Sequence, residues 1–331
     1  MTRVAAIDCG TNSIRLLIAD VEIQPDRPAV LTDVVREMEV VRLGYGVDRT
    51  GRIDPAAMER TLTAARRYAD TCAVHGVEAV RFVATSASRD AENAAEFVAG
   101  VREAFAAFGI APEVISGSEE AELSFTGATG DIVAAGCPGP YLVCDIGGGS
   151  TEVVRGESTP SGSRVLQSCS ADVGCVRMTE RHLASDPPTE AEIAGATADI
   201  EAALDAIEAA VDLSGAGTLV GLAGSITTLT AHALDLPEYD PQAIHLARVP
   251  APTVSAKARD LLTMSRHERS ELGFMHPGRV DVIGAGALVW ERVVDRVVAV
   301  SADVVVVTSE HDILDGIALS LARRRPGTDR D

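Results

Sequence analysis

The chain has 331 residues, enough for two domains each with its own core, and its 46% hydrophobic and 24% charged residues are an ordinary globular composition. A net charge of −20 argues against binding to nucleic acid or to an anionic membrane surface. Met1-Thr2-Arg3 leads straight into a strand-like run with no signal segment, and the apolar stretch Val297 to Val307 is interrupted by Asp303 and too short to span a bilayer, so a cytoplasmic protein is expected.

In chain order, apolar runs predict strands at Arg3–Cys9, Ile14–Val21, Val30–Arg42, Ala79–Ala84 and Pro112–Ile115. Helical stretches are predicted at Pro55–His75, Asp90–Phe108 and Ser118–Thr126, and Asp54 before Pro55 is a favourable helix opening. The order then repeats. Strands are expected at Leu142–Asp145, Thr151–Arg155 and Ser163–Ala171, followed by helices at Cys175–Leu183 and Glu190–Val211. A strand at Thr218–Leu222, a helix at Ile226–Leu234, a helix over about Val280–Val300, a strand at Asp303–Val307 and a helix near Ile313–Ala322 complete the set. Three strands, then helix, strand, helix, strand, helix, given twice, predict an α/β fold of two ribonuclease H-like domains flanking a cleft, as in actin-like proteins. The expected domains are 1–127 and 128–309, with the final helix, about 310–322, free to pack back on the first. Gly127–Pro140 reads as the hinge, and 323–331 as a polar, disordered tail.

The chemistry is signalled by a six-residue pattern that occurs twice, 137 positions apart: Asp8-Cys9-Gly10-Thr11-Asn12-Ser13 and Asp145-Ile146-Gly147-Gly148-Gly149-Ser150. Both are Asp-x-Gly-x-x-Ser between two strands. Glycines let successive backbone N–H groups approach one anion, and a carboxylate at a strand end can hold a metal ion or orient a water. Two such loops facing each other would clamp a phosphate chain. Ser116-Gly117-Ser118-Glu119-Glu120 opens a helix with two carboxylates, one of which could act as general base on a water; the helix dipole explains acids there equally. Ala84-Thr85-Ser86-Ala87-Ser88-Arg89 suits a phosphate held by amides and a guanidinium, and Gly221-Leu222-Ala223-Gly224-Ser225 is another small-residue turn after a strand. Plain capping turns would look the same. The six cysteines never form Cys-x-x-Cys and read as reduced, mostly buried thiols. The seven histidines show no ligand spacing, and His311-Asp312 reads as a dipeptide without partner histidines.

At these residues the chain resembles the exopolyphosphatase / guanosine pentaphosphate phosphohydrolase (Ppx/GppA) family of the actin-like phosphotransferase superfamily. The motifs that carry the resemblance are Asp8–Arg15, Ala84–Arg89 with Asn93, Ile115–Ala121, Asp145–Glu152, Gly174–Arg177, Gly224–Leu229 and Asp281–Leu288. The length resembles that of the short form, without extra C-terminal helical domains. The resemblance implies hydrolysis of a terminal phosphate from inorganic polyphosphate or from guanosine pentaphosphate; the acidic total, which suits a short oligophosphate better than a long polymer, adds an expected preference for short chains. The resemblance also implies Glu120 as base, with Asp145 and Glu152 assisting, and Mg²⁺ or Mn²⁺ held by Asp145, Glu152 and Asp8. Thr11, Asn12, Ser13, Arg15, Gly147, Gly148, Ser150, Gly224 and Ser225 would contact phosphate, and Arg89 would neutralise it. A homodimer is the expected assembly, with no nucleic-acid or membrane partner.

Two departures stand out. Thr11 replaces the more usual Ser, which keeps the hydroxyl, and Ser309-Glu310-His311-Asp312 replaces a segment that usually carries Arg-Glu-Gly. The arginines at 36, 42, 49, 52, 60, 66, 67, 81 and 89 crowd the first half and suggest a basic strip that guides a polyanion despite the acidic total. A kinase of the same superfamily and a non-catalytic phosphate sensor are the competing readings. The former would require an acceptor for the phosphate, and the latter has to account for the presence of Glu120, Asp145 and Glu152.

Overall fold

A computed structural model describes residues 1–22, 29–159 and 162–323. Its first sheet grows from a hairpin in which β1 (Thr2–Cys9) pairs antiparallel with β2 (Ser13–Glu22), placing Asp8 opposite Arg15. β2 pairs antiparallel with β3 (Val30–Val40). Every residue of β1 from Val4 to Cys9 is buried, as a strand covered on both faces requires. Ala5, Ile7 and Cys9 enter one core cluster, while Val4 and Ala6 enter another.

The chain then passes through α1 (Val47–Thr50) and α2 (Pro55–Val74) to β4 (Ala79–Ala84), parallel to β1. Asp54 caps α2 by accepting from the Ala56 and Ala57 N–H groups. α3 (Ser86–Asp90) and α4 (Ala94–Ala104) lead to β5 (Glu113–Val114), parallel to β4, and α5 (Gly117–Ala134) follows. The strand order is β3-β2-β1-β4-β5.

The second sheet repeats this plan. β6 (Tyr141–Ile146) pairs antiparallel with β7 (Thr151–Thr159), placing Asp145 opposite Glu152, and β8 (Gly162–Ala171) lies beyond β7. After α6 (Cys175–His182) and α7 (Glu190–Ala210), β9 (Thr218–Leu222) joins parallel to β6. Then come α8 (Ala223–Ala233), α9 (Pro241–Ile244), α10 (Ala251–Thr263), α11 (Arg266–Ser270), α12 (Ile283–Val300) and β10 (Val305–Thr308), parallel to β9. The order β8-β7-β6-β9-β10 matches the first sheet strand for strand, and both units are ribonuclease H-like. α12 carries the largest buried side chain, Trp290, into the second core.

The chain divides into two compact units, one of Met1–Gly127 with α13 (Ile313–Arg323), the other of Ala128–Thr159 and Ser163–Asp312. Within the first unit α13 packs on β1, β2 and β4, burying Ile313, Leu314, Ile317 and Ala318 beside Val4, Ala6 and Leu17. Five of the six cysteines are buried. Among the described residues no helix is long and apolar enough to cross a membrane.

Three expectations are corrected. The single helix expected over Asp90–Phe108 is α3, a turn, α4 and a 3₁₀ turn, because Asn93 pairs with the backbone of Ile53 (Ile53 N–H to Oδ1, 2.9 Å; Nδ2 to Ile53 O, 3.1 Å). The hinge expected at Gly127–Pro140 is helical as far as Ala134, where Ala128 and Ile132, one turn apart, are fully buried. α10 and α11 occupy a stretch where neither was read from the sequence. Of the expected tail, 324–331 lies outside the described residues.

Candidate functional site

The two Asp-x-Gly-x-x-Ser turns close in the same way. Gly10 N–H donates to Ser13 O at 2.9 Å, and Gly147 N–H donates to Ser150 O at 3.0 Å. Their carbonyls are tied down from outside the loops. Thr11 O accepts from Gly44 N–H (2.8 Å), and Asn12 O from Val41 and Arg42 N–H (3.1 and 2.8 Å). Gly147 O accepts from Cys175 N–H (3.0 Å), Gly148 O from Val176 and Arg177 N–H (2.9 and 3.1 Å), and Gly149 O from Arg177 Nε (2.7 Å). The N–H groups of Thr11, Asn12, Gly148, Gly149 and Ser150 donate to no acceptor among the described residues. Carbonyls held back and amides left open give each loop the polarity of an anion receptor.

Buried hydroxyls point the same way. Thr11 Oγ1 and Ser88 Oγ are buried and without a hydrogen-bond partner among the described residues. Such a group costs on the order of 1–3 kcal/mol unless something satisfies it, and a phosphate oxygen would. Ser13 starts β2, and Ser150 is buried at the foot of its loop. Close packing fixes the second turn. A Cβ on Gly174 would lie 2.5 Å from the Gly148 carbonyl carbon and oxygen, so only glycine lets the start of α6 seat against the loop.

In the first unit, Asp8 and the Thr85–Arg89 segment converge on Glu120. Arg89 Nη1 donates to Glu120 Oε2 at 2.6 Å and to Ile115 O at 3.1 Å. Burial pushes the Glu120 carboxyl above the ordinary glutamate range, Arg89 pulls it back, nearby Asp8 raises it and a Thr85 hydrogen bond lowers it. Its neighbour Glu119 turns elsewhere, accepting from Arg81 Nη2 at 2.6 Å, and Arg81 also donates to Glu113 and to Ser320 Oγ. The two acids of the Glu-Glu pair thus have different tasks: Glu119 closes a structural network, and Glu120 sits beside Asp8, Thr85 and Arg89.

The two hairpins differ in charge at one matched pair of positions. Asp8 faces Arg15, whose Nε and Nη2 both donate to Asp8 Oδ2 (2.9 and 2.6 Å). In the second hairpin Asp145 faces Glu152, both buried, with Ser170 Oγ donating to Glu152 Oε1 at 2.6 Å. Like charges directly opposite across a ladder repel. The second hairpin therefore sets two carboxylates at the facing positions where the first sets a carboxylate against a guanidinium. Asp8, expected as a third metal ligand, and Arg15, expected on phosphate, are engaged with each other.

The fourth turn opens α8. Ala223 adopts φ +66°, an uncommon value for a residue with a side chain, so the chain is strained at the strand-to-helix turn. A Cβ on Gly224 would meet the Arg279 guanidinium at 2.2 Å, and Arg279 Nη1 donates to Thr228 Oγ1 at 3.2 Å. Ser225 is buried beside Gly286. Arg279 was not nominated from the sequence; a lone arginine 55 positions from Gly224 carries no local signal.

Two further expectations are corrected. Most arginines of the supposed strip are paired: Arg36 with Asp33 and Asp315, Arg52 with Glu92 and Glu96, Arg66 with Glu59, Arg67 with Glu39, and Arg81 and Arg89 as above. Local carboxylates cancel the strip. His311 also has a partner histidine, since its ring lies 4.7 Å from that of His245.

Two ribonuclease H-like units that repeat one strand order and one glycine turn define an actin-like fold. The chain matches the Ppx/GppA phosphatase family over residues 21–321 and belongs to that family. It is similar to exopolyphosphatase 2 of Mycobacterium tuberculosis, with 51% identity over 324 residues covering 97% of this chain and 99% of that protein. Among solved structures it is similar to an exopolyphosphatase-like protein (45% identity, TM-score 0.90, covering 98% of this chain and 99% of that one). It is also similar to the Aquifex aeolicus Ppx/GppA family member (28% identity, TM-score 0.76, covering 98% and 99%).

Proposed function

We propose that the protein is an exopolyphosphatase, a hydrolase that removes the terminal phosphate of inorganic polyphosphate. The observation that carries this reading is the setting of Glu120, a buried carboxylate held by one guanidinium, in a unit whose glycine turn leaves its amides open. The 51% identity to a protein named exopolyphosphatase 2 supports it.

In this reading the amides of Thr11 and Asn12 and the hydroxyl of Thr11 bind phosphate oxygens in the first unit. Within the second unit, the open amides of Gly148, Gly149 and Ser150 are an anion receptor of the same kind, and Ser225 and Gly224 with Arg279 are another. Glu120 accepts a proton from water as its oxygen attacks the terminal phosphorus. The bridging P–O bond breaks, the shortened chain leaves with the bridging oxygen, and orthophosphate is released. Arg89 keeps Glu120 ionised and aimed. A carboxylate-only donor set fits a hard cation such as Mg²⁺ or Mn²⁺, and Asp145 and Glu152 would hold it; Asp8 would support Arg15 instead. When bound, the cation supplies charge neutralisation on the phosphate oxygens.

The test is orthophosphate release from polyphosphates of defined length and from guanosine pentaphosphate, with Mg²⁺ or EDTA, for wild type and Glu120→Gln. Cation-dependent release that falls by about 10²-fold or more in the variant is expected of a general base. Acceptor-dependent ATP turnover, or binding of these substrates without release, would overturn the reading.

A further inference from the structure

Outside the residues used above, the described residues contain one group of three ligand-type side chains whose donor atoms all lie within 4.8 Å of one another: Asp131, His245 and His311. Asp131 lies near the end of α5, His245 directly follows α9, and His311 sits between β10 and α13. All three belong to the second unit. His311 Nδ1 is 2.6 Å from Asp131 Oδ2, and His245 Nε2 is 3.5 Å from the same oxygen. The imidazoles lie 4.7 Å apart at 41°.

We propose that Asp131, His245 and His311 form a site for a zinc-type divalent transition metal, additional to any cation held by Asp145 and Glu152. Two imidazoles and one carboxylate are the ligand set such ions prefer, whereas Mg²⁺ favours oxygen donors. Bonds of about 2.0–2.1 Å in tetrahedral geometry put ligand atoms roughly 3.3 Å apart, and the observed 2.6 and 3.5 Å bracket that spacing. The two side chains with the greatest exposure, Asp131 at 46% and His311 at 39%, leave room for a water ligand.

The surroundings favour a cation. Glu310 and Asp312 flank His311 in the chain, and Asp312 is buried. Both imidazoles already converge on one oxygen of the Asp131 carboxyl. Two bonds between Ser309 Oγ and the His311 backbone (2.8 and 3.0 Å) fix the segment that carries His311. Ring protons that face Asp131 would move to the far ring nitrogens when the metal binds. The metal-bound tautomer of His245 would also give up a long bond, 3.3 Å, from Glu310 N–H to its Nδ1.

The site would tie together three segments of the second unit. Asp131 follows Gly127, where the chain leaves the first unit, and His311 precedes Ile313, where it returns. An ion here would stabilise the second unit without entering the hydrolytic step. That role is independent of the substrate, so it can stand if the exopolyphosphatase reading fails.

The test is calorimetric titration of metal-stripped protein with Zn²⁺, and visible absorption with Co²⁺, on wild type, Glu152→Gln, His245→Gln and His311→Gln. Expected are a Zn²⁺ equivalent that excess Mg²⁺ does not displace, and tetrahedral Co²⁺ bands, both kept in Glu152→Gln. Loss of a direct ligand should cost more than the roughly 10–100-fold typical of outer-shell changes, so both histidine variants should lose the equivalent. No Zn²⁺ uptake by wild type, or uptake kept in both histidine variants, overturns the proposal. Zn²⁺-dependent shifts of the His245 and His311 ring resonances in wild type read the site without any substitution, should a variant fail to fold.

Discussion

Arg89 donates to Glu120 at 2.6 Å while burial draws the same carboxyl toward its protonated form. The opposition has a measurable consequence. Glu120 can act as base only when ionised, so the acid limb of kcat/KM should lie above the ordinary glutamate range. Arg89→Met removes the guanidinium that favours the charged form, which raises the Glu120 pKa further. The limb should move to higher pH, with the alkaline plateau less affected than the acid side. An acid limb that stays in place would show that Arg89 does not tune the base. A flat profile in both proteins would remove Glu120 from that role.

Glu119 and Glu120 should separate cleanly in mutants. Glu119→Gln takes a charge from buried Arg81, which keeps Glu113 and Ser320, so stability should fall by about 1 kcal/mol with turnover largely intact. Glu120→Gln should do the reverse, losing turnover while thermal denaturation shows a native-like midpoint. Equal losses of activity in both variants would argue that the pair acts as a unit.

This pair also shows where the sequence stops being informative. The apolar runs of β4 (Ala79–Ala84) and β9 (Thr218–Leu222) are legible to the residue, because short buried strands between polar turns leave little choice of register. The twin glycine turns are legible too, since both the turn and its flanking strands are local. Adjacent glutamates in one helical turn look alike in sequence, and partners from β4 and α3 decide between them. Arg15 and Arg89 were expected on phosphate as bare cations, and only the fold shows the carboxylates they face. His245 and His311 stand 66 positions apart, and Asp131 is 180 positions from His311, so no spacing rule could have joined them.

The Asp145–Glu152 pair predicts a stability response to cations. Binding to the native state alone adds about 2.7 kcal/mol when free cation is 100 times its Kd. Mg²⁺ should therefore raise the denaturation midpoint of wild type, and EDTA should reverse it. Glu152→Gln keeps the bulk of the side chain but removes one of the facing charges, so the Mg²⁺ response should shrink or vanish. His311→Gln should keep it. A full Mg²⁺ response in Glu152→Gln would place the ion elsewhere.

Gly174 offers the sharpest geometric test. A methyl group there would meet backbone of Gly148 at 2.5 Å and of Gly149 at 2.7 Å, and backbone cannot swing aside as a side chain can. Gly174→Ala should push the second glycine turn away from α6 and break the bonds that hold its carbonyls back. Loss of turnover is expected together with a lower denaturation midpoint. Gly130→Ala is the control: it lies within α5, has nothing within 4 Å of the new methyl, and is exposed. Alanine in a helix interior is favoured over glycine by roughly 0.8–1.0 kcal/mol, so this variant should be as stable as wild type or more so, with unchanged kinetics. If Gly174→Ala matched Gly130→Ala in both measurements, the seating of α6 against the loop would not be what holds the loop's amides open.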